Sequence, residues 1–479
     1  MPPRSLLTAF AAAALLSACA VGPDYVRPTL AVPAAYKESG DWKPAEPRAA
    51  ASGLAWWQAY GDATLNGLMA DALAANQNLR QAEATYRQAR ALADADRAGL
   101  FPSLGLDASV TRARAHSGGA VKTSDSGGLG LAASWEPDLW GSVRRTIEAG
   151  DAGAQASADD LAAARLSIQT TLAQDYLQLR IADQQRDLHD ATVAAYTQAL
   201  RLVRAQHDVG VALRSDVALA ESQLAQAQAA AVDLEATRAQ LEHAVAVLTG
   251  RAPAQFSLAR APATQPLALQ PPASPAGLPS ALLEHRPDIA GAERRAAAAN
   301  ANIGVAKAAY FPQLTLSANG GFSAAALGTL FDTPSRVWSL GAALAQTLFD
   351  GGLRRARTAQ AEAAYDVAVA QYKETVLGAF QQVEDQLSLL RLLGQETALQ
   401  DQAVRSSQLA EQLALNQYRA GTASYLGVVT AQALSLANQR SAVQLRGRLL
   451  AASISLVAAT GGGWSAAESP AVATATAPQ

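Results

Sequence analysis

The chain has 479 residues and a formal net charge of −3; it is 50% hydrophobic, with only 5% aromatic and 16% charged residues. No basic surface argues for a nucleic-acid partner, and a single cysteine excludes a disulfide framework and a cysteine-based metal site. Abundant Ala with interspersed Gln, Leu and Arg suits long helices, because these side chains lose little rotamer freedom there.

Taken in chain order, Arg4 is followed by an apolar run from Leu6 to Leu16 and then by Ser17, Ala18 and Cys19. The run is too short to span a bilayer as a stable helix and fits the apolar region of a signal peptide. Leu16-Ser17-Ala18-Cys19 resembles a lipobox, which implies removal of residues 1–18 and a Cys19 carrying N-palmitoyl and S-diacylglycerol. No other cofactor and no metal is expected. Ala20 follows where bacterial lipoproteins kept at the inner membrane carry Asp, so the resemblance favours the outer membrane. No later run reaches ~18 apolar residues, so no transmembrane helix is expected and further membrane contact must come from strands.

The rest of the chain is written twice. Phe101-Pro102 recurs as Phe311-Pro312, Arg144-Arg145 as Arg354-Arg355, Gly141 as Gly351 and Ala82-Glu83 as Ala292-Glu293, all 210 positions apart. Gly210 recurs as Gly421 and Thr249-Gly250 as Thr460-Gly461, 211 positions apart. So long a period marks a duplicated domain-sized unit rather than a solenoid. Each unit reads helix, two strands, helix, turn, helix. The expected segments are 19–61 (lipid-anchored), 62–250 (first unit), 251–276 (linker in a belt around the helices), 277–461 (second unit) and 462–479 (tail).

In the first unit, 62–99 reads as one helix. Residues 103–112 then alternate, with Leu104, Leu106, Ala108 and Val110 opposite Ser103, Gly105, Asp107, Ser109 and Thr111. A polar, Gly-rich segment at 116–128 separates them from Leu129, Leu131, Ala133 and Trp135, which alternate with Gly130, Ala132, Ser134 and Glu136. Leu314 to Phe322 and Trp338 to Leu344 repeat the scheme. One apolar and one small or polar face fits either a surface sheet on a soluble core or a membrane barrel. Phe101, Trp135, Trp140, Phe311 and Phe349 stand where an interfacial girdle would lie. Four strands cannot close a barrel, and unpaired backbone groups in lipid each cost several kcal/mol, so membrane strands here demand an oligomer.

From Gly141 to about Gln206 there is no Pro, and the run could extend on the order of 100 Å as a helix. The chain turns near Gly210 and returns to Leu248 with coiled-coil spacing, Leu213, Val217, Ala220, Leu224, Ala227, Ala231 and Leu234, broken only at Arg238. The second unit repeats this from Gly352 to Tyr418 and from Tyr425 to Thr460. No catalytic constellation appears. The five His lack ligand spacing, the Gly128-x-Gly130-x-x-Ala133 pattern lies in a strand with no helix opening at it, and Glu136 and Asp138 read as lumen or rim charges. The chain is therefore not expected to be an enzyme.

Glu284-His285-Arg286-Pro287-Asp288-Ile289, Ala308-Ala309-Tyr310-Phe311-Pro312, Trp135-Glu136-Pro137-Asp138-Leu139-Trp140-Gly141 and Tyr418-Arg419-Ala420-Gly421-Thr422 closely resemble the TolC-type outer-membrane factors. Cys19-Ala20-Val21-Gly22-Pro23-Asp24-Tyr25 resembles their acylated, NodT-like branch, which serves resistance–nodulation–division pumps. The resemblance implies a mainly α fold with a membrane β-barrel. In it a homotrimer pools four strands per chain into a shared 12-stranded barrel above an α-barrel of periplasmic hairpins. It implies a passive duct at the outer membrane of an efflux pump, in contact with outer-membrane lipid, a periplasmic adaptor and an inner-membrane transporter. The adaptor would dock at tips near Gly210, Ser215, Asp216, Gly421 and Tyr425. Gly427 and Thr430 fall at the tunnel entrance, where the family often carries Asp, so a less acidic, less cation-selective mouth is expected, with Asp216 in the place corresponding to Gly427. An exit duct for secreted proteins shares the fold. A lipid-anchored periplasmic scaffold is the remaining alternative.

Overall fold

The computed structural model describes residues 20–39, 55–117, 120–260 and 285–464. The acylation expected at Cys19, most of the 251–276 linker and the tail from 465 lie outside the described residues. The order is α1 (Ala63–Ala75), α2 (Gln77–Ala98), β1 (Ser103–Ser117), β2 (Ala120–Trp135), α3 (Ser142–Asp208), α4 (Arg214–Leu248), α5 (Pro287–Ala308), β3 (Gln313–Ala324), β4 (Arg336–Ala345), α6 (Leu353–Arg419) and α7 (Tyr425–Ala459). The duplication is visible in the lengths. α2 and α5 have 22 residues each, α3 and α6 have 67, and α4 and α7 have 35.

Three local expectations need correction. The helix at 62–99 is two helices, broken at Asn76, whose extended backbone ends α1. Its side-chain oxygen accepts from Leu79 N at 3.0 Å and caps α2, while its amide donates to Leu248 O at 2.8 Å. The segment 116–128 is mostly strand: β1 runs to Ser117 and β2 starts at Ala120, so both exceed the alternating core seen in sequence. And one later run is apolar enough, by length and composition, to cross a membrane: α7 holds a window of mean hydropathy 1.3. It lies in the bundle, where Leu450 and Ile454 pack with Leu172 and Tyr176 of α3, so its apolar character serves helix packing.

Each hairpin is held by a seam. On α6, Tyr372, Val376, Ala379, Val383, Leu387 and Leu390 recur every three or four residues and are buried against α7, α5 and Tyr36 of the N-terminal segment 20–39. Burying each Leu or Val is worth about 1.5–3 kcal/mol. α3 packs on both α4 and α7, and α5 packs on both α3 and α6, so the two units share one helical wall.

The units close by the same joint. Thr249 and Thr460 end the returning helices, and Gly250 (φ 72°) and Gly461 (φ 94°) follow in the left-handed region. A Cβ at Gly250 would lie 2.4 Å from Ala75 O, and one at Gly461 would lie 1.8 Å from His285 O. Beside these contacts Asn76 bonds Leu248 O, and Arg286 donates to Ala459 O at 2.9 Å. Only glycine satisfies both the close approach and the positive φ.

Candidate conduit wall and its two ends

The four strands form one antiparallel sheet in the order β1-β2-β3-β4, so β1 and β4 are its edges. The register sets Leu106 opposite Leu131, Leu131 opposite Gly320, and Gly320 opposite Trp338. One face therefore gathers Leu104, Leu106, Val110, Leu131, Trp338, Leu340 and Leu344. Leu104, Leu106, Trp338 and Leu340 are each more than 70% exposed. The other face carries Gly130, Ala132, Ser134, Ser317, Asn319, Ser339 and Gly341. A soluble sheet would bury its apolar face; this one presents that face outward along strands long enough to cross a bilayer at a tilt.

At the membrane-proximal end Trp140 stacks on Phe311 at 4.9 Å and donates to Pro312 O at 2.7 Å, tying the first unit to the second. Asp138 accepts from Val143 N and Arg144 N at 3.1 and 2.9 Å and caps α3. Its side chain is 9% exposed, so it is a buried cap rather than a lumen or rim charge. Asp350 caps α6 likewise, through Gly352 N and Arg354 N. The N-terminal strap starts here. Val21 N donates to Trp140 O at 3.1 Å, and Arg145 reaches Val21 O, Gly22 O and the Asp24 carboxylate. The strap continues along α5, with Tyr25 donating to Glu293 at 2.6 Å and Asn300 to Pro23 O at 3.0 Å. It ends on α6, where Glu384 accepts from Lys37 N and Glu38 N.

Arg238, which interrupts the α4 seam, is the centre of a buried network. It donates to Asp183 at 2.8 Å and to Leu258 O at 2.6 Å, and Arg180 joins Asp183, Tyr176 and Ala259 O. The linker start, 256–260, is thereby strapped to the first hairpin as the N-terminal segment is strapped to the second.

At the far end both hairpins turn in the same way. Gly210 (φ 79°) and Gly421 (φ 74°) follow the helix ends, Val211 N bonds Gln206 O at 2.8 Å, and Thr422 N bonds Gln417 O at 3.0 Å. Tyr418 donates its hydroxyl to Gln206 Oε1, joining the two tips, and packs on Tyr425 at 5.3 Å. Tyr425, expected at the docking surface, is only 2% exposed; it packs with Leu200, Val203, Val217 and Val428 and shapes the tip from inside. Burial, with Tyr418, Tyr196 and Asp216 nearby, pushes its pKa up to about 12. Gly210, Ser215, Gly421, Gly427 and Thr430 are exposed. Thr430 bonds Leu426 O at 2.9 Å, and Asp216 accepts from Leu213 N at 3.2 Å, so it also caps α4. Val209 and Val211, not singled out in sequence, flank Gly210 at 74% exposed each, and Leu213, expected as the first seam position of the returning helix, is 69% exposed rather than buried.

Long paired hairpins below a sheet with an outward apolar face and free edges define one subunit of a membrane-spanning conduit. Residues 68–251 and 278–462 match the outer membrane efflux protein family, one match per unit. The chain belongs to that family and is an outer-membrane efflux channel component. It is 34% identical to the pyoverdine export outer membrane protein OpmQ of Pseudomonas aeruginosa over 96% of this chain and 97% of OpmQ. It is 31% identical to the toluene efflux pump outer membrane protein TtgF of Pseudomonas putida over 94% and 95%. Among solved structures, the outer-membrane channel OprN superposes with a TM-score of 0.87 at 32% identity, covering 93% of this chain and all of that one. The open-state MtrE channel of Neisseria gonorrhoeae superposes at 0.83, 29% identity, 93% and 99% coverage.

Proposed function

We propose that three copies of this chain form one continuous duct, lipid-anchored at Cys19, that passively conducts solutes from a periplasmic adaptor and an inner-membrane resistance–nodulation–division transporter to the exterior. The observation that carries this is the pairing of β2 with β3, the last strand of one unit with the first strand of the other. β4 and β1 stand in the same relation across a chain boundary, and both are free edges. Pairing β4 of one copy with β1 of the next satisfies their backbone groups, each worth several kcal/mol in hydrocarbon, and closes the ring. Three copies is the number that the TolC-type resemblance implies.

The strap supports the anchor. Ala20 lies against Gly141 at the membrane-proximal junction, which is where an acyl anchor one residue earlier would be needed. The exposed Val209, Val211 and Leu213 give an adaptor an apolar surface at the opposite end. Nothing in the described residues couples to an energy source, so a partner drives flux. Sedimentation of the detergent-purified protein with planar-bilayer conductance tests the reading. A mass of three chains and discrete stable channels are expected; a monomer without conductance overturns it.

A further inference from the structure

The outward face of the sheet changes character toward the end away from the helices. On β1 the apolar positions Leu104, Leu106, Ala108 and Val110 are followed, on the same face, by Arg112, Arg114 and His116. On β4 the apolar positions Leu344, Leu340 and Trp338 lead to Arg336 at the same end. The stretch from Phe101 to Val110 runs ~30 Å along the strand, or ~23 Å along the membrane normal at a ~40° tilt. That matches the ~25 Å apolar band of such barrels. Arg112 thus stands at the outer rim of the band. An arginine at the bilayer midplane costs about 2–4 kcal/mol, a penalty that vanishes at the interface, where a Trp such as Trp338 is also favoured.

The arginines converge once the duct is closed. Leu129 stands opposite Phe322, and Gly127 opposite Ala324, across the junction between units. The repeat maps Leu104 onto Leu314 and Leu139-Trp140 onto Leu348-Phe349. Carried through this correspondence, Trp338 of one copy faces Arg112 of the next, and Arg336 faces Arg114 of the next. Asp125 is the only acid on this part of the strand face among the described residues. It meets Arg112 at 3.4 Å with both side chains more than half exposed, a weak pair. Arg114 and Arg336 make no ion pair among the described residues. Three guanidiniums therefore share one carboxylate at each seam, next to lipid.

We infer that each seam is a binding site for the phosphate groups of an outer-leaflet glycolipid, held by Arg336 of one copy with Arg112 and Arg114 of its neighbour. Planar guanidiniums bond phosphate oxygens in pairs, and their charge complements a phosphorylated head group. The acyl chains of the same lipid would lie on Trp338, Leu340 and Leu106. This site rests on the ring proposed above, because no single chain assembles it.

Native mass spectrometry of the detergent-purified oligomer, with added diphosphoryl lipid A or the same lipid dephosphorylated, tests it. The wild type is expected to retain the phosphorylated form at least about fivefold better. Arg112→Gln/Arg114→Gln/Arg336→Gln should remove that preference, and the matching triple Lys variant should keep most of it. Millimolar inorganic phosphate should not displace the lipid. Equal retention of the two lipids, or an unchanged preference in the triple Gln variant, overturns the site, and displacement by phosphate makes it a free-anion site instead. The spectrum also counts copies: a single-chain mass refutes the ring, whereas an intact trimer without lipid preference refutes only the site.

Discussion

The two units share a backbone and differ in what is strapped to it. Helix lengths, the tip turns at Gly210 and Gly421 and the joints at Gly250 and Gly461 are the same in both. Yet Arg180, Asp183, Arg238 and Glu242 hold the linker on the first hairpin through a buried charge network. The corresponding positions of the second, Arg391, Gly394, Leu449 and Ser453, keep only one of these charges, and Arg391 there pairs with Glu38 of the N-terminal strap. The duplicated features are those that let units pack side by side around a ring. The divergent ones face segments that occur once per chain.

That division ranks the expected effects of mutation. Gly461→Ala should cost roughly 3 kcal/mol or more, since the new Cβ meets a backbone oxygen at a positive φ. Gly67→Ala, in a helix with open space around it, should be neutral or stabilising by up to ~1 kcal/mol. Urea unfolding followed by circular dichroism measures both, and similar losses would remove the joint's special status. Asp183→Ala should cost about 3 kcal/mol by leaving buried Arg180 without its carboxylate. Arg391→Ala should cost under ~1 kcal/mol, because its pair is partly solvated. Equal effects would mean that the two straps are energetically alike.

At the tips, Tyr418→Phe removes the bond to Gln206 and should cost about 1 kcal/mol, seen as faster amide exchange in both tips together. Tyr425 is held neutral, its pKa about 12 against ~10 when unfolded. Its contribution is therefore complete below pH ~10 and lost as pH rises toward 12, and Tyr425→Phe should flatten that alkaline loss. Asp216→Ala should cost no more than Tyr418→Phe, roughly 0.5–1 kcal/mol confined to the first tip, through its lost cap. If its carboxylate also stands in for the charge missing at Gly427 and Thr430, the same variant lowers cation selectivity in planar bilayers.

The long helices were legible because 142–208 and 353–419 contain no Pro and are rich in strong helix formers. The tips and joints were legible through paired glycines. The outer halves of β1 and β2 were not, because between Arg112 and Gly128 polar residues occupy both faces and erase the two-residue period. Asn76 was missed for a different reason: its capping bond interrupts an otherwise continuous helical composition by a single residue. The Arg238 network joins residues up to 79 positions apart by side-chain geometry alone, so the sequence marked only a flaw in a seam. Tyr425 read as a surface residue because turn position, not burial, was what its neighbours revealed.

The central claim is the pairing of β4 with β1 of the next copy, and a disulfide tests it most directly. The β2–β3 register, carried through the repeat, sets Leu340 opposite Val110 of the neighbouring copy. Within one chain these residues lie three strands apart, at least about 14 Å, beyond the ~7 Å that a disulfide tolerates. In a Cys19→Ala background with a cleavable signal peptide, Val110→Cys/Leu340→Cys should oxidise in membranes to covalent species of two and three chains, while either single cysteine should not reach three. Only monomers on a non-reducing gel, with both thiols free, would contradict the ring.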